Sequence, residues 1–172
     1  MENSLSFDLT IEDPRWSERL NLAKRLLTQA ASAGLTQAGF NEPALIDVLL
    51  TDDAEIQSLN RDHREQDKPT NVLSFPAGET PAIPGQPRPL GSIALAFETL
   101  EREAIEANRD LSHHFMHLIV HASLHLIGYT HDEEDEAERM EALEIKALAG
   151  LGVSNPYEDG IGGTATYGTR EP

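Results

Sequence analysis

The chain has 172 residues, enough for one well-buried core and too few to expect two full domains. It has no cysteine, its apolar runs are short, and no basic start precedes an apolar segment, which argues against secretion or membrane insertion and for a soluble cytoplasmic protein. With 30 acidic residues against 13 basic ones the formal charge is −17; this disfavours a polyanionic partner for the average surface, but not for a cleft made locally positive by a divalent ion and a few arginines or lysines.

From Leu5 to Ile11 apolar and polar residues alternate as in a half-buried strand. Asp13 then caps a helix with Pro14 at its first position, and Trp16, Leu20, Ala23, Leu27 and Ala31 make an apolar stripe that stops at Gly34. Residues 44–50 are an apolar run of β character broken only by Asp47, and Thr51, Asp52 and Asp53 offer a cap for a short helix through Leu59. The stretch that follows is polar until about Asn71 and then becomes a strand to Pro76. Pro69 biases Lys68 out of helix, so the basic residues here lie on or next to a loop.

Four prolines and two glycines between Gly78 and Pro89 predict a loop. Gly91 to Phe97 resumes as strand, about Glu98 to Asn108 reads as helix, and after Asp110 a mostly apolar helix carries Leu111, Phe115, Leu118, Ile119 and Leu126. Thr130-His131-Asp132-Glu133 matches a capping box, with Thr130 capping a last helix whose inner stripe is Ala137, Met140, Leu143 and Ala147. The glutamates at 133, 134, 136, 138, 141 and 144 read as its solvated face. Residues 1–153 are therefore expected to form a single catalytic α+β domain, a small mixed β-sheet packed with helices, and residues 154–172, glycine-rich and aperiodic, a disordered tail.

The chemistry concentrates between His121 and His131, at the end of that central helix. His121 and His125 are four residues apart, so on a helix they share a face with Cβ atoms about 5–6 Å apart. Gly128 can turn the chain back so that His131 reaches the same point. Three imidazoles and no cysteine describe a zinc site of one ion per chain whose fourth position stays open, the catalytic rather than the structural arrangement. His113 and His117 continue the stripe without a metal role.

With these segments in view, the sequence resembles the YbeY family of bacterial single-strand endoribonucleases, associated with 16S ribosomal RNA maturation and ribosome quality control. Two blocks carry the resemblance. One runs from Leu59-Asn60 through Arg64 to Asp67-Lys68-Pro69-Thr70-Asn71-Val72-Leu73-Ser74-Phe75-Pro76, and the other from His121 to His131. The resemblance implies that the zinc ligands are His121, His125 and His131 and that the family's functionally important arginine is Arg64. The family usually has glycine at Ala122 and aspartate at Thr130 and Ser92; the change at Thr130 removes a negative charge beside the metal, for which Asp132 is the candidate replacement.

These residues suggest a mechanism in which zinc acidifies its bound water and polarises a phosphoryl oxygen. Arg64 pairs two phosphate oxygens with its planar fork, while Lys68 contributes a point charge. Asn71 and Ser74 are assigned minor substrate contacts. The implied substrate is single-stranded ribosomal RNA with weak base selection, and the implied partners are the ribosome or its proteins. Two alternatives stand beside this reading. A metzincin-like zinc peptidase or amidase would want glutamate where Ala122 stands. A ribosome-assembly factor would hold zinc only structurally.

Overall fold

The computed structural model describes residues 5–20, 23–79 and 83–157. Its elements are β1 (Leu5–Ile11), α1 (Arg15–Arg19), α2 (Ala23–Gln37), β2 (Ala44–Thr51), α3 (Asp53–Arg64), β3 (Val72–Pro76), β4 (Arg88–Ala96), α4 (Phe97–Glu106), α5 (Leu111–Leu126) and α6 (Glu134–Gly150). The strands form one sheet in the order β1-β2-β4-β3, with β1, β2 and β4 parallel and β3 antiparallel to β4. This is the mixed α+β architecture expected from the sequence.

Alternation along the strands decides which layer each face meets. Ala44, Ile46, Val48 and Leu50 of β2 join the main core with α2, α4, α5 and α6. On the opposite face, Leu73 and Phe75 of β3 and Ala94 and Ala96 of β4 pack under Ile56 and Leu59 of α3. The central helix α5 lies between these helices and the sheet, and twelve of its sixteen residues are buried, so it is buried nearly all round rather than on one face. Gly34 of α2 is a close-approach point: a Cβ there would sit 3.3 Å from a Val120 methyl of α5.

Four local expectations are corrected. The first helix is two: Leu20 adopts φ −127°, ψ 86°, and α2 runs through Gly34 to Gln37. Trp16 explains the break, because its indole N–H donates to Thr51 O at 2.9 Å while its ring packs edge-on to Phe97, and this pinned α1 cannot continue along the axis of α2. Next, α3 extends beyond Leu59 to Arg64 and closes with Glu65 in the left-handed conformation. The prolines do not keep Arg88 and Pro89 out of β4; the pairing with β2 slips between Leu45 and Ile46, so Pro89 lies beside an irregularity in the ladder. Finally, the capping box does not form. Thr130 Oγ1 donates to the Glu136 carboxylate and α6 begins only at Glu134, leaving His131 in a loop rather than a first helical turn.

Trp16 is fully buried and touches both Phe97 and Phe115. Trp16→Ala is therefore expected to cost about 3–5 kcal/mol, read as a lower midpoint in denaturant unfolding.

Candidate metal centre

Helix α5 starts at Asp110, whose carboxylate accepts from Ser112 N, and runs without a break to the two histidines of its last turns. His121 and His125 face each other with their Nε2 atoms 3.1 Å apart. The helix then closes with Gly128 N donating to His125 O and Tyr129 N to Leu124 O. Gly128 takes φ +107°, a conformation an L side chain resists, and this reversal sends the chain back past the helix end. His131 arrives from that loop and stacks on His121 with ring centroids 5.5 Å apart. One ring nitrogen from each of the three lies within 4.8 Å of the others, so the three are positioned to bind a metal ion.

The surrounding contacts suit that role. His125 Nδ1–H donates to Tyr129 O at 2.8 Å, and His121 Nδ1–H donates to Glu144 Oε2 at 2.7 Å, so each ring turns Nε2 toward the shared point. Burial, reinforced by the neighbouring His121 ring, pushes the His125 imidazolium down to about 4; at neutral pH the ring is uncharged, as a ligand must be. Zinc with nitrogens at 2.0–2.1 Å in tetrahedral array would hold them about 3.3 Å apart, close to the His121–His125 spacing. With the third nitrogen within 4.8 Å of the other two, the imidazole donors suit a divalent transition metal.

Two polar networks brace α5, one beside the triad and one at the start of the helix, and neither was read from the sequence. In one, Glu144 of α6, with no exposed surface, accepts from His121 and from His117 Nε2 at 3.0 Å, and the Tyr157 hydroxyl donates to the same carboxylate. Burial by itself would raise the Glu144 carboxyl, but His121 and His117 outweigh it and hold the group well below the usual carboxylate range. At His117 burial outweighs the same carboxylate and lowers the imidazolium below its ordinary range. In the other, Glu103 of α4 joins His114 of α5 at 2.9 Å and the Asn71 amide at 3.0 Å. A signal for Glu144 did exist: 137, 140, 144 and 147 continue one helical stripe, and the structure buries Glu144 where Leu143 was expected.

The tail expected from residue 154 onward falls mostly outside the described residues. Within them, Ser154 O accepts from Arg109 and Tyr157 docks on Glu144. A chain ending at Asn155 should accordingly lose about 1–3 kcal/mol against the full chain, measured by urea unfolding.

The remaining sequence candidates lie around β3. Arg64, at the end of α3, donates to Ser74 O and places its guanidinium 5.3 Å from the centre of the Phe75 ring. Lys68 is exposed in the following turn, its carbonyl accepting from Asn60. Asn71 and Ser74 are buried; Asn71 Oδ1 accepts from Val72 N while its amide donates to Glu103. Among the contacts described, Arg64 belongs to the α3 side of the edge strand β3, and the histidines belong to α5 on the other side. The sequence grouped them; the structure brings together the three histidines.

The departures from the family pattern acquire places. Ala122 is fully buried. Ser92 pairs in register with Asp47 and lines a groove of about 500 Å³ over the open sheet face with Asp8, His63 and Phe75. Asp132 is exposed, and Thr130 engages the Glu136 carboxylate.

Comparison with known proteins identifies the family. The family model described as Endoribonuclease YbeY matches residues 10–152. The chain is 46% identical over 155 residues to the Endoribonuclease YbeY of Azorhizobium caulinodans, covering 89% of this chain and 96% of that one. It is 56% identical over 119 residues to that of a Bradyrhizobium species, covering 67% and 70%. A solution structure of a Thermotoga maritima protein superposes with TM-score 0.51 at 26% identity, over 92% of this chain and 98% of that one. A match over this length, with the histidine triad assembled at the end of α5, places the chain in the YbeY endoribonuclease family.

Proposed function

We propose that the protein is a zinc-dependent, single-strand-specific endoribonuclease of the cytoplasm, acting in 16S ribosomal RNA 3′-end maturation and ribosome quality control. The observation that carries this reading is the convergence of three imidazoles, all nitrogen donors, in a chain whose relatives are named endoribonucleases. His121, His125 and His131 hold the ion. Zinc, when bound, supplies Lewis acidity that polarises a phosphoryl oxygen and makes water a competent nucleophile near neutral pH.

The chain's own residues do the rest. Arg64 presents two parallel N–H donors to phosphate oxygens and stabilises charge as it develops, and Lys68 adds a mobile positive charge in the adjoining turn. Asn71 and Ser74 serve the substrate strand by holding β3 in place beneath Arg64. Phosphate contacts carry no base information, so selection of a ribosomal site falls to partners and RNA exposure. The peptidase alternative has no support at Ala122, a buried aliphatic position where that chemistry needs a carboxylate.

Metal-stripped protein should leave single-stranded ribosomal RNA intact and regain cleavage with one equivalent of zinc, cutting a duplex of the same sequence poorly. Equal cutting of both would remove the strand selectivity, and zinc uptake without any cutting would favour the assembly-factor reading. An RNA with a single 2′-deoxy nucleotide at a mapped cut site distinguishes the nucleophile. Continued cutting there is the result for water attack; loss at that link alone assigns attack to the 2′-hydroxyl.

A further inference from the structure

Glu144 is a glutamate with no exposed surface on a helix otherwise studded with exposed acids. An ionised carboxylate removed from water is costly unless its oxygens are satisfied. Here both are. Oε1 accepts from the Tyr157 hydroxyl and from His117 Nε2–H, and Oε2 is left to accept from His121 Nδ1–H at 2.7 Å.

The consequence is directional. A carboxylate can only accept, so it requires the proton of His121 on Nδ1 and leaves the lone pair on Nε2. That Nε2 is the atom facing His125 Nε2 at 3.1 Å. His125 has a backbone carbonyl, Tyr129 O, to do the same work locally, whereas His121 depends on a side chain 23 residues later in the chain. Tyr157, from beyond the end of α6, in turn occupies Oε1 and stops the carboxylate from rotating away; its ring also stands edge-on to His117 at 5.4 Å.

We propose that Glu144 is the positioning residue of the metal centre, held by Tyr157 and His117, and that it sets the tautomer of His121 and with it the affinity for zinc. The inference rests on the metal-site reading above but not on which substrate is cleaved. Outer carboxylate partners of ligating histidines raise ligand basicity and fix ring orientation, and their loss weakens metal binding about 10- to 100-fold. Tyr157 ties the segment after α6 to the same property.

The test uses the full chain and zinc ions. In metal-free protein, nitrogen NMR of the histidine rings should show His121 as the Nδ1–H tautomer; in Glu144→Gln it should become mixed, and zinc competition against a chromogenic chelator should show affinity lower by about 10- to 100-fold. Tyr157→Phe should keep the carboxylate and lose several-fold in affinity. A merely structural role would lower the melting temperature and leave the His121 tautomer unchanged. An unchanged tautomer and unchanged affinity in folded Glu144→Gln overturn the proposal; should that variant not fold, unchanged values in Tyr157→Phe overturn it instead. Wild-type protein that binds zinc but cuts no RNA would sink the nuclease reading and leave this one standing.

Discussion

His125→Ala is expected to abolish stoichiometric zinc binding and RNA cleavage while leaving the fold in place. It removes one of three ligand nitrogens, so the loss of affinity should exceed the roughly 10- to 100-fold typical of removing an outer partner of a ligand. The fold should survive because His125 is only half-buried and, among the described residues, the hydrogen bond its side chain makes outside the triad is to Tyr129 O. Such a bond contributes about 1 kcal/mol. Metal content by atomic spectroscopy, beside circular dichroism, measures both halves of the expectation. Zinc stoichiometry that stays at one per chain would remove His125 from the ligand set.

Arg64→Ala should separate catalysis from metal binding. Loss of a donor aimed at developing charge costs about 10²- to 10³-fold in kcat. The structural role of Arg64 is smaller: a hydrogen bond to Ser74 O and a cation over Phe75, the latter worth about 0.5–1 kcal/mol. Zinc content should not change, because Arg64 lies on the α3 side of β3 and the triad on α5. Arg64→Lys restores the charge but not the planar fork and should recover little activity. Wild-type cleavage rates in Arg64→Ala would move the phosphate-binding role to another cation, with Lys68 the nearest in the chain.

Contacts between residues close in sequence were legible because a helix or turn dictates them whatever surrounds it. The spacing of His121 and His125, the reversal at Gly128 and the return of His131 are all consequences of one helix end, and they assemble as read. The strands were likewise visible through alternation, because a sheet with one face against a core sorts its residues by parity. Thr130 marks the limit of such reading. Its capping box is a valid local pattern, yet placing His131 against His121 keeps the loop extended through Glu133, and tertiary placement overrode the local preference.

What the sequence by itself determined, then, is the strands and most of the helices, the central buried helix and three histidines within one helix end and its turn. Only the tertiary structure decided what stands behind those histidines. Glu144 reaches His121 from 23 positions away and is itself reached by Tyr157 from 13, and Glu103 joins the turn before β3, at Asn71, to His114 of α5. Their acidic and aromatic side chains look, in one dimension, like a solvated helix face and a trailing segment. Burial is a property of packed layers: α6 has to lie against α5 before a glutamate on its inner stripe meets two histidines, and no periodicity along one element can report which charged residue the neighbouring element will neutralise.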